Sequence, residues 1–384
     1  LLLHIASYTD NEKDLNNLVR SRRRLYTILN DTLYKRHAEE SATSALIWAA
    51  ERGMHKTAKR FLALGADVNA TNEDGLTVLM LAAAKGHEEV VRTTLGVEGI
   101  DINAQHWLHK RTALHYAAME GHYEVVRVLI GAKGIAVNIP EGNYGGTPLI
   151  ALISATAPGK EEAMWLIVEQ EDIDLNQADT KWELSPLLWA IQDGQTESAR
   201  ILLEKKTVDV NFADPRGRTP LWWAAKLNDE TCVCLLLARD HTEMNTPNHK
   251  GQTPLWVAAK HGHEGVVQML LREGADPTTR DNKRHRNALT VAAVKERTDV
   301  VCLLLREKNI NYAGEDIEVL RAFVLQAREM GHWETVKVIS ETLGMDGMEN
   351  QCKEKVSRIA TDGRRAPARL SLMLRLRNAI AQSQ

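Results

Sequence analysis

Fourteen histidines and four cysteines are the side chains of this 384-residue chain best suited to hold a metal or move a proton. Their spacing argues against both. His87, His122, His263 and His332 each follow a glycine at the same place in a recurring stretch, so they fall one per copy instead of converging. Hydrogen bonding to neighbouring backbone is the role such a position suggests. Cys232 and Cys234 stand one residue apart, short of the two-residue gap of paired zinc ligands, and His106 with His109, or His261 with His263, lack a third ligand. There is no glycine-rich phosphate loop, no His-Glu-x-x-His and no Gly-x-Ser-x-Gly, and no pair of carboxylates is singled out for acid–base work. The expectation is no enzyme, no cofactor and no metal. What remains is the chemistry of recognition: large aromatic and basic side chains carried on turns rich in Gly, Asp and Asn.

The elements that must position those side chains are announced by a repeat. A stretch typified by TPLWVAAKHGHEGVVQMLLREGAD, from Thr253 to Asp276, restarts at Ser44, Thr77, Thr112, Thr147, Ser185, Thr219, Thr253, Asn287 and Ala322. Successive starts lie 33 to 38 residues apart. Thr or Ser followed by Pro-Leu opens a first helix, because a first-turn N–H has no intrahelical partner for Pro to remove. Paired small residues such as Ala82-Ala83, Ala117-Ala118, Ala224-Ala225 and Ala258-Ala259 let helices approach closely, and Gly-His closes the helix. A second helix then carries apolar residues at helical spacing, as in Val266, Val267, Met269, Leu270 and Leu271. One such unit cannot bury its own apolar face, so copies must stack around an elongated strip of Leu, Val and Ala.

This signature resembles the ankyrin-repeat family. The resemblance implies an all-α ankyrin-repeat solenoid of about nine helix-turn-helix copies with hairpin-like turns over residues 41–343. The fourth copy lacks Gly-His and inserts Ala157-Pro158-Gly159, so a longer loop between its helices is expected. The ninth keeps Ala327, Gly331 and His332 but loses Thr-Pro, in the manner of a capping repeat. Trp48, Trp189, Trp222, Trp223 and Trp256 occupy the two positions after the signature Leu, where the family commonly has His and an apolar residue. Packing in the core or groove wall is the expectation for them.

Residues 1–40 do not follow the repeat. Leu2, Ile5, Asp14-Leu15, Leu18, Arg23-Arg24-Leu25-Tyr26 and Leu33-Tyr34 resemble the F-box family over residues 1–36, and with copies written TPLWWAA the whole is similar to fungal F-box/ankyrin proteins. That implies a substrate receptor of a cullin-RING ubiquitin ligase, docking the ligase adaptor through Leu2, Ile5, Leu15 and Leu18. A second reading stands beside it: the same residues cap the first copy, and the chain is an ankyrin scaffold or regulatory binding protein. The chain begins at Leu1 without the usual Leu-Pro, which suggests a clipped F-box.

Ankyrin relatives bind through turn tips and first-helix ends, so the resemblance implies partner contacts at Trp107, His109, Tyr144, Trp182, Arg216, Arg218, Lys250, Arg284 and Arg286, with Met119, Gln192, Lys226 and Lys260 ending first helices. The basic tips of the sixth to eighth copies suggest an acidic or phosphorylated segment in the partner. Forty-eight Lys and Arg against 51 Asp and Glu argue against general polyanion binding, so no nucleic acid is expected. With no apolar run of about 20 residues and few cysteines, the chain reads as a cytoplasmic or nuclear monomer without a membrane span. Residues 344–384 read as a basic tail or a capping helix.

Overall fold

The computed structural model describes residues 44–156, 158–306 and 314–342. The F-box-like stretch with Leu2, Ile5, Leu15 and Leu18, Cys352 and the basic segment 344–384 lie outside the described residues. Among the described residues the secondary structure is helical apart from one isolated bridge, Thr71 to Thr77.

The chain divides into two compact units, residues 1–189 and 190–384. The first holds helices in pairs: α1 (44–51) with α2 (His55–Ala63), α3 (Val78–Ala84) with α4 (Glu88–Leu95), α5 (Ala113–Met119) with α6 (Tyr123–Ile130), and α7 (Pro148–Ile153) with α8 (Lys160–Val168). Helix α9 (Pro186–Gln192) carries the division. The second unit continues with α10 (Thr196–Leu203), α11 (Pro220–Leu227), α12 (Glu230–Leu237), α13 (Pro254–His261), α14 (Glu264–Arg272), α15 (Ala288–Val294), α16 (Thr298–Arg306), α17 (Gly314–Glu329) and α18 (Trp333–Thr342). Within the first unit α3, α5 and α7 pack side by side in one layer, and α2, α4, α6 and α8 in another. The second unit repeats the arrangement, with α11, α13, α15 and α17 in one layer and α10, α12, α14, α16 and α18 in the other. Each unit is a helical-repeat solenoid.

The start of each first helix is fixed by its opening residue. Thr77, Thr147, Thr219 and Thr253 are extended, and each hydroxyl accepts from a backbone N–H three residues on, at 3.1 to 3.4 Å. Asn287 does the same with its amide oxygen at 2.9 Å. Each such cap contributes about 1 kcal/mol. The paired alanines of α3, α5, α11 and α13 are completely buried, which is what allows the first helices to lie so close.

The Gly-His that closes a first helix works between copies. Nε2 of His87, His122 and His263 lies 3.0, 3.2 and 3.0 Å from the carbonyl oxygens of Glu51, Ala84 and Lys226 in the preceding copy. The ring of His122 packs where a Cβ on Gly86 would come within 2.7 Å, and Gly86 itself sits at a φ of +71°. In the eighth copy Glu296-Arg297 replaces Gly-His, and Arg297 Nε makes the equivalent contact to Lys260 O at 3.4 Å.

Three sequence expectations are refined. The fourth-copy loop, 154–159, is longer than its equivalent 85–87, as the insertion implied. In the ninth copy the aligned start, Ala322, lies in mid-helix: α17 begins at Gly314, so helix replaces the turn that precedes other copies. The sequence places Cys232, Cys234 and Cys302 in apolar second-helix stretches, where each would serve as a small hydrophobe; Cys232 and Cys302 are buried and burial pushes the Cys232 thiol up, but Cys234 is exposed.

The position after the signature Leu shows how polar side chains tie copies together. Nδ1 of His115 faces the N–H (3.2 Å) and hydroxyl (2.9 Å) of Thr112, which leaves Nε2 to donate to Gly146 O at 3.2 Å in the next copy. Trp222 and Trp256 stand at the same position, and their indole N–H groups donate to Gln252 O (3.1 Å) and Arg286 O (2.9 Å), the matching carbonyls. Indole thus substitutes for imidazole as a buried donor without being able to titrate.

His115 can titrate, and burial lowers its pKa to about 4, partly opposed by the bond to Gly146 O. The fold therefore keeps it neutral while the unfolded chain takes up a proton below about pH 6.5. Wild-type stability is expected to fall by about 3 kcal/mol between pH 6.5 and pH 4 on this account alone. His115→Met, the residue type found at the equivalent Met80, should remove that component from urea-unfolding curves taken across the same range.

Candidate partner-binding surfaces

The turns between copies end in tips whose backbone is tied to a buried polar residue five or six positions before the residue that opens the next first helix. In the fifth copy this is Asp179, buried, with Oδ1 accepting from the N–H groups of Lys181 (2.9 Å) and Trp182 (2.6 Å) and Oδ2 from Leu184 N–H (3.0 Å) and the Trp189 indole (2.9 Å). Asp214 does the same in the sixth copy, accepting from the N–H groups of Arg216 (2.9 Å) and Arg218 (3.0 Å), from Arg218 Nε (2.7 Å) and from the Trp223 indole (3.2 Å). Asn248 and Asp281 follow in the seventh and eighth copies. In the third copy the anchor is His106, whose Nδ1 accepts from the N–H groups of Leu108 and His109 while Nε2 reaches Asp74 O at 2.8 Å. Glu141 anchors the fourth, bonding Tyr144 N–H (2.8 Å) and pairing with Arg111 at 2.9 Å.

Neighbouring tips are also joined through their backbones. Gly142 N–H donates to His109 O (2.7 Å), Thr180 N–H to Tyr144 O (2.8 Å), His249 N–H to Arg216 O (3.0 Å) and Asn282 N–H to Lys250 O (2.9 Å). Within each unit these tips are therefore set in register with their neighbours. Gly75 illustrates the fit: a Cβ there would lie 2.0 Å from the Trp107 ring.

On this frame the first unit displays aromatics. Trp107 is 64% exposed, with its indole N–H fixed to Asp74 O at 2.9 Å, so its ring has one orientation. Tyr144 and Trp182, 41% and 39% exposed, stack with ring centroids 5.0 Å apart, and Trp182 meets Trp189 edge-on at 5.4 Å. The Lys181 ammonium stands 4.1 Å from the Tyr144 centroid and 4.4 Å from that of Trp182. His109 is half-buried, with Nδ1 3.0 Å from the Asn143 amide and its ring stacked on His106.

The second unit displays cations. Arg216, Lys250 and Arg284 are exposed, whereas Arg218 and Arg286 are half-buried. Arg218 is not available at the tip in the way its sequence position suggested. Its guanidinium pairs with Asp214 at 2.6 Å and lies over Trp223, 4.2 Å from the ring centroid. On the first-helix ends the Lys226 ammonium lies 4.3 Å from the Trp223 centroid and that of Lys260 5.5 Å from Trp256. Burial lowers the Lys226 pKa, and the positive charges of Arg218, Lys260 and Arg216 lower it further. Burial alone would raise the Asp214 pKa, but the hydrogen bonds from Arg218, Arg216 and Trp223 hold it below the ordinary value. Trp222, Trp223 and Trp256 are buried, as expected of core packing, while Trp48 is 40% exposed with Arg52 over its ring.

Among the described residues no three His, Cys, Asp or Glu are placed to hold a metal ion, and no helix is long and apolar enough to cross a membrane. The acidic anchors Asp179, Asp214 and Asp281 were missed by sequence reasoning. Their signal is an Asp five or six residues before Ser185, Thr219 and Asn287, each of which opens a helix.

A family model described as ankyrin repeats (3 copies) matches residues 3–106, 46–141, 94–179, 152–248 and 240–316. The chain belongs to the ankyrin-repeat family. Among solved structures it is similar to the crystal structure of EF0377, an ankyrin repeat protein, at 24% identity with a TM-score of 0.47, over 54% of this chain and 98% of that one. No curated protein matches. As an ankyrin-repeat chain it is a protein–protein interaction module.

Removing the Asp214 carboxylate leaves four buried or half-buried donors without an acceptor. Asp214→Ala is expected to cost about 3 kcal/mol in urea unfolding. Arg216→Ala, which leaves the same backbone bonds in place, should stay within about 0.5 kcal/mol of wild type.

Proposed function

We propose that the chain selects a protein partner along its turn tips and first-helix ends. The aromatic tips of the first unit act as apolar anchors, and the basic tips of the second attract an acidic or phosphorylated segment. The observation that carries this reading is the exposure of Trp107, Tyr144 and Trp182 on backbone pinned by buried polar residues. A large side chain held in one orientation loses little entropy on binding, which is what an interface anchor needs. Trp107→Ala and Trp182→Ala should each weaken capture of the partner about tenfold or more while leaving the melting temperature of the chain unchanged. Wild-type capture by both variants would contradict the assignment.

The finer role we assign is substrate receptor of a cullin-RING ubiquitin ligase, with the adaptor docked on Leu2, Ile5, Leu15 and Leu18. Its support is the F-box-like pattern of residues 1–36, in which apolar positions exceed what a short helical segment buries by itself. One observation favours the other reading, an ankyrin scaffold whose N-terminal helices only cap the first copy: the first family match starts at residue 3 and runs through this stretch. Co-purification of the chain with the ligase adaptor separates the two. Leu15→Asp combined with Leu18→Asp should abolish adaptor binding if the receptor reading holds. If deleting residues 1–40 lowers thermal stability yet leaves every partner bound, the capping reading is correct instead.

A further inference from the structure

The sixth and seventh copies place an ammonium on an indole at equivalent positions. Lys226 and Lys260 end the adjacent first helices α11 and α13, each seven residues after its capping Thr. Lys226 lies over Trp223, and Trp222 stands edge-on beside it with centroids 5.5 Å apart. Lys260 lies over Trp256. The positive charges of Arg218, Lys260 and Arg216 all act on Lys226. Two cations, Arg218 and Lys226, share the Trp223 ring at 4.2 and 4.3 Å, and the Asp214 carboxylate is spent on Arg218. Like charges held this close on an apolar floor are relieved by an incoming anion.

The chemistry of that anion follows from what is already committed. The planar fork of Arg218, the group that would favour a bidentate dianion, is bound to Asp214 through Nε and Nη2. The remaining donors are two separate point charges, one per copy, which match one monoanion each. The indoles beneath are buried and their N–H groups are occupied, so they offer no open face on which a nucleic acid base could stack. Packed helices lie about 8–10 Å apart. A polyproline-II segment returns to the same face every third residue after about 9 Å, whereas the pleated strand puts its third residue on the opposite face.

Resting on the partner-binding reading above, we propose that α11 and α13 form a docking site for an extended acidic segment that places two carboxylates three residues apart. One is received by Lys226 beside Arg218 and Arg216, the other by Lys260.

The test uses the full chain and two labelled peptides of equal composition: repeated Glu-Pro-Pro, and an isomer with its glutamates adjacent. Fluorescence anisotropy should show the Glu-Pro-Pro peptide binding at least about fivefold more tightly than the isomer, with affinity falling as salt is raised. Lys226→Gln and Lys260→Gln should each weaken it about tenfold while melting as wild type does. Equal affinity for the two peptides, no binding of either, or wild-type affinity in both lysine variants overturns the proposal. So does tighter binding of a peptide with phosphoserine in place of Glu, or of oligothymidylate. If the peptide arms fail but Trp107→Ala and Trp182→Ala still lose the partner, the binding function stands and only this site falls. If both sets fail, the reading on which it rests falls too.

Discussion

A helical pair of this chain cannot close its own hydrogen bonds at the edge it shares with the next, and the bonds made across that edge set the rest of the structure. On the first helices, His115, Trp222 and Trp256 donate to the carbonyls just before the next copy's cap. Near the second helices, His87, His122 and His263 reach back to the copy before. In the turns an asparagine serves both directions: Asn69 donates to Gly99 O and accepts from Asp101 N–H, and Asn103 treats Gly134 O and Ala136 N–H alike. Asn69 heads an Asn-x-Thr sequence, but this use of its amide in the ladder gives it a structural role. Hydrophobic burial drives copies together without direction, whereas these donors fix the register.

Register at the edge is what makes a surface at the tips. Once adjacent turns are joined through Gly142, Thr180, His249 and Asn282, buried Asp179, Asp214 and Asp281 can each gather several N–H groups on one carboxylate. A carboxylate accepting several such bonds is satisfied in a site from which water is largely excluded. The side chains beyond it then project from a fixed backbone. The first unit presents rings and the second presents positive charge, so the two units offer different chemistry on the same repeated frame. The cost of that display is visible at Lys226, which is held among the positive charges of Arg218, Lys260 and Arg216.

Much of this was legible in the sequence because it depends on local rules. Thr caps, paired alanines, Gly-His and the longer loop of the fourth copy all follow from residue type and period, and each is seen. The ankyrin family is likewise carried by the repeat alone. What was hidden depends on how closely neighbours approach. Asp179 and Asp214 look like ordinary solvated turn acids until their own turns fold over them and the indoles of Trp189 and Trp223 bond to them, and Arg218 looks like a free tip cation until Asp214 and Trp223 draw it inward. Cys234 lies in an apolar stretch of sequence, yet helical periodicity turns it outward while Cys232 turns in. The start of α17 was misplaced because a register carried over from other copies cannot foresee helix where they have a turn. Trp222, Trp223 and Trp256 pack as their sequence positions suggest, whereas Trp48 is exposed, and the donor role of Trp222 and Trp256 needed the partner carbonyls, which sit 30 residues away.

The claim on which all of this rests is that the tips are pinned before any partner arrives. Amide hydrogen exchange on the free chain tests it most directly, at Trp182, Leu184, Arg216, Arg218, Arg284 and Arg286, whose N–H groups donate to buried carboxylates. Protection comparable to that of amides in α11 and α13 is the expected result. Exchange at the rate of an open loop would show that the tips are not preorganised, and would contradict the account.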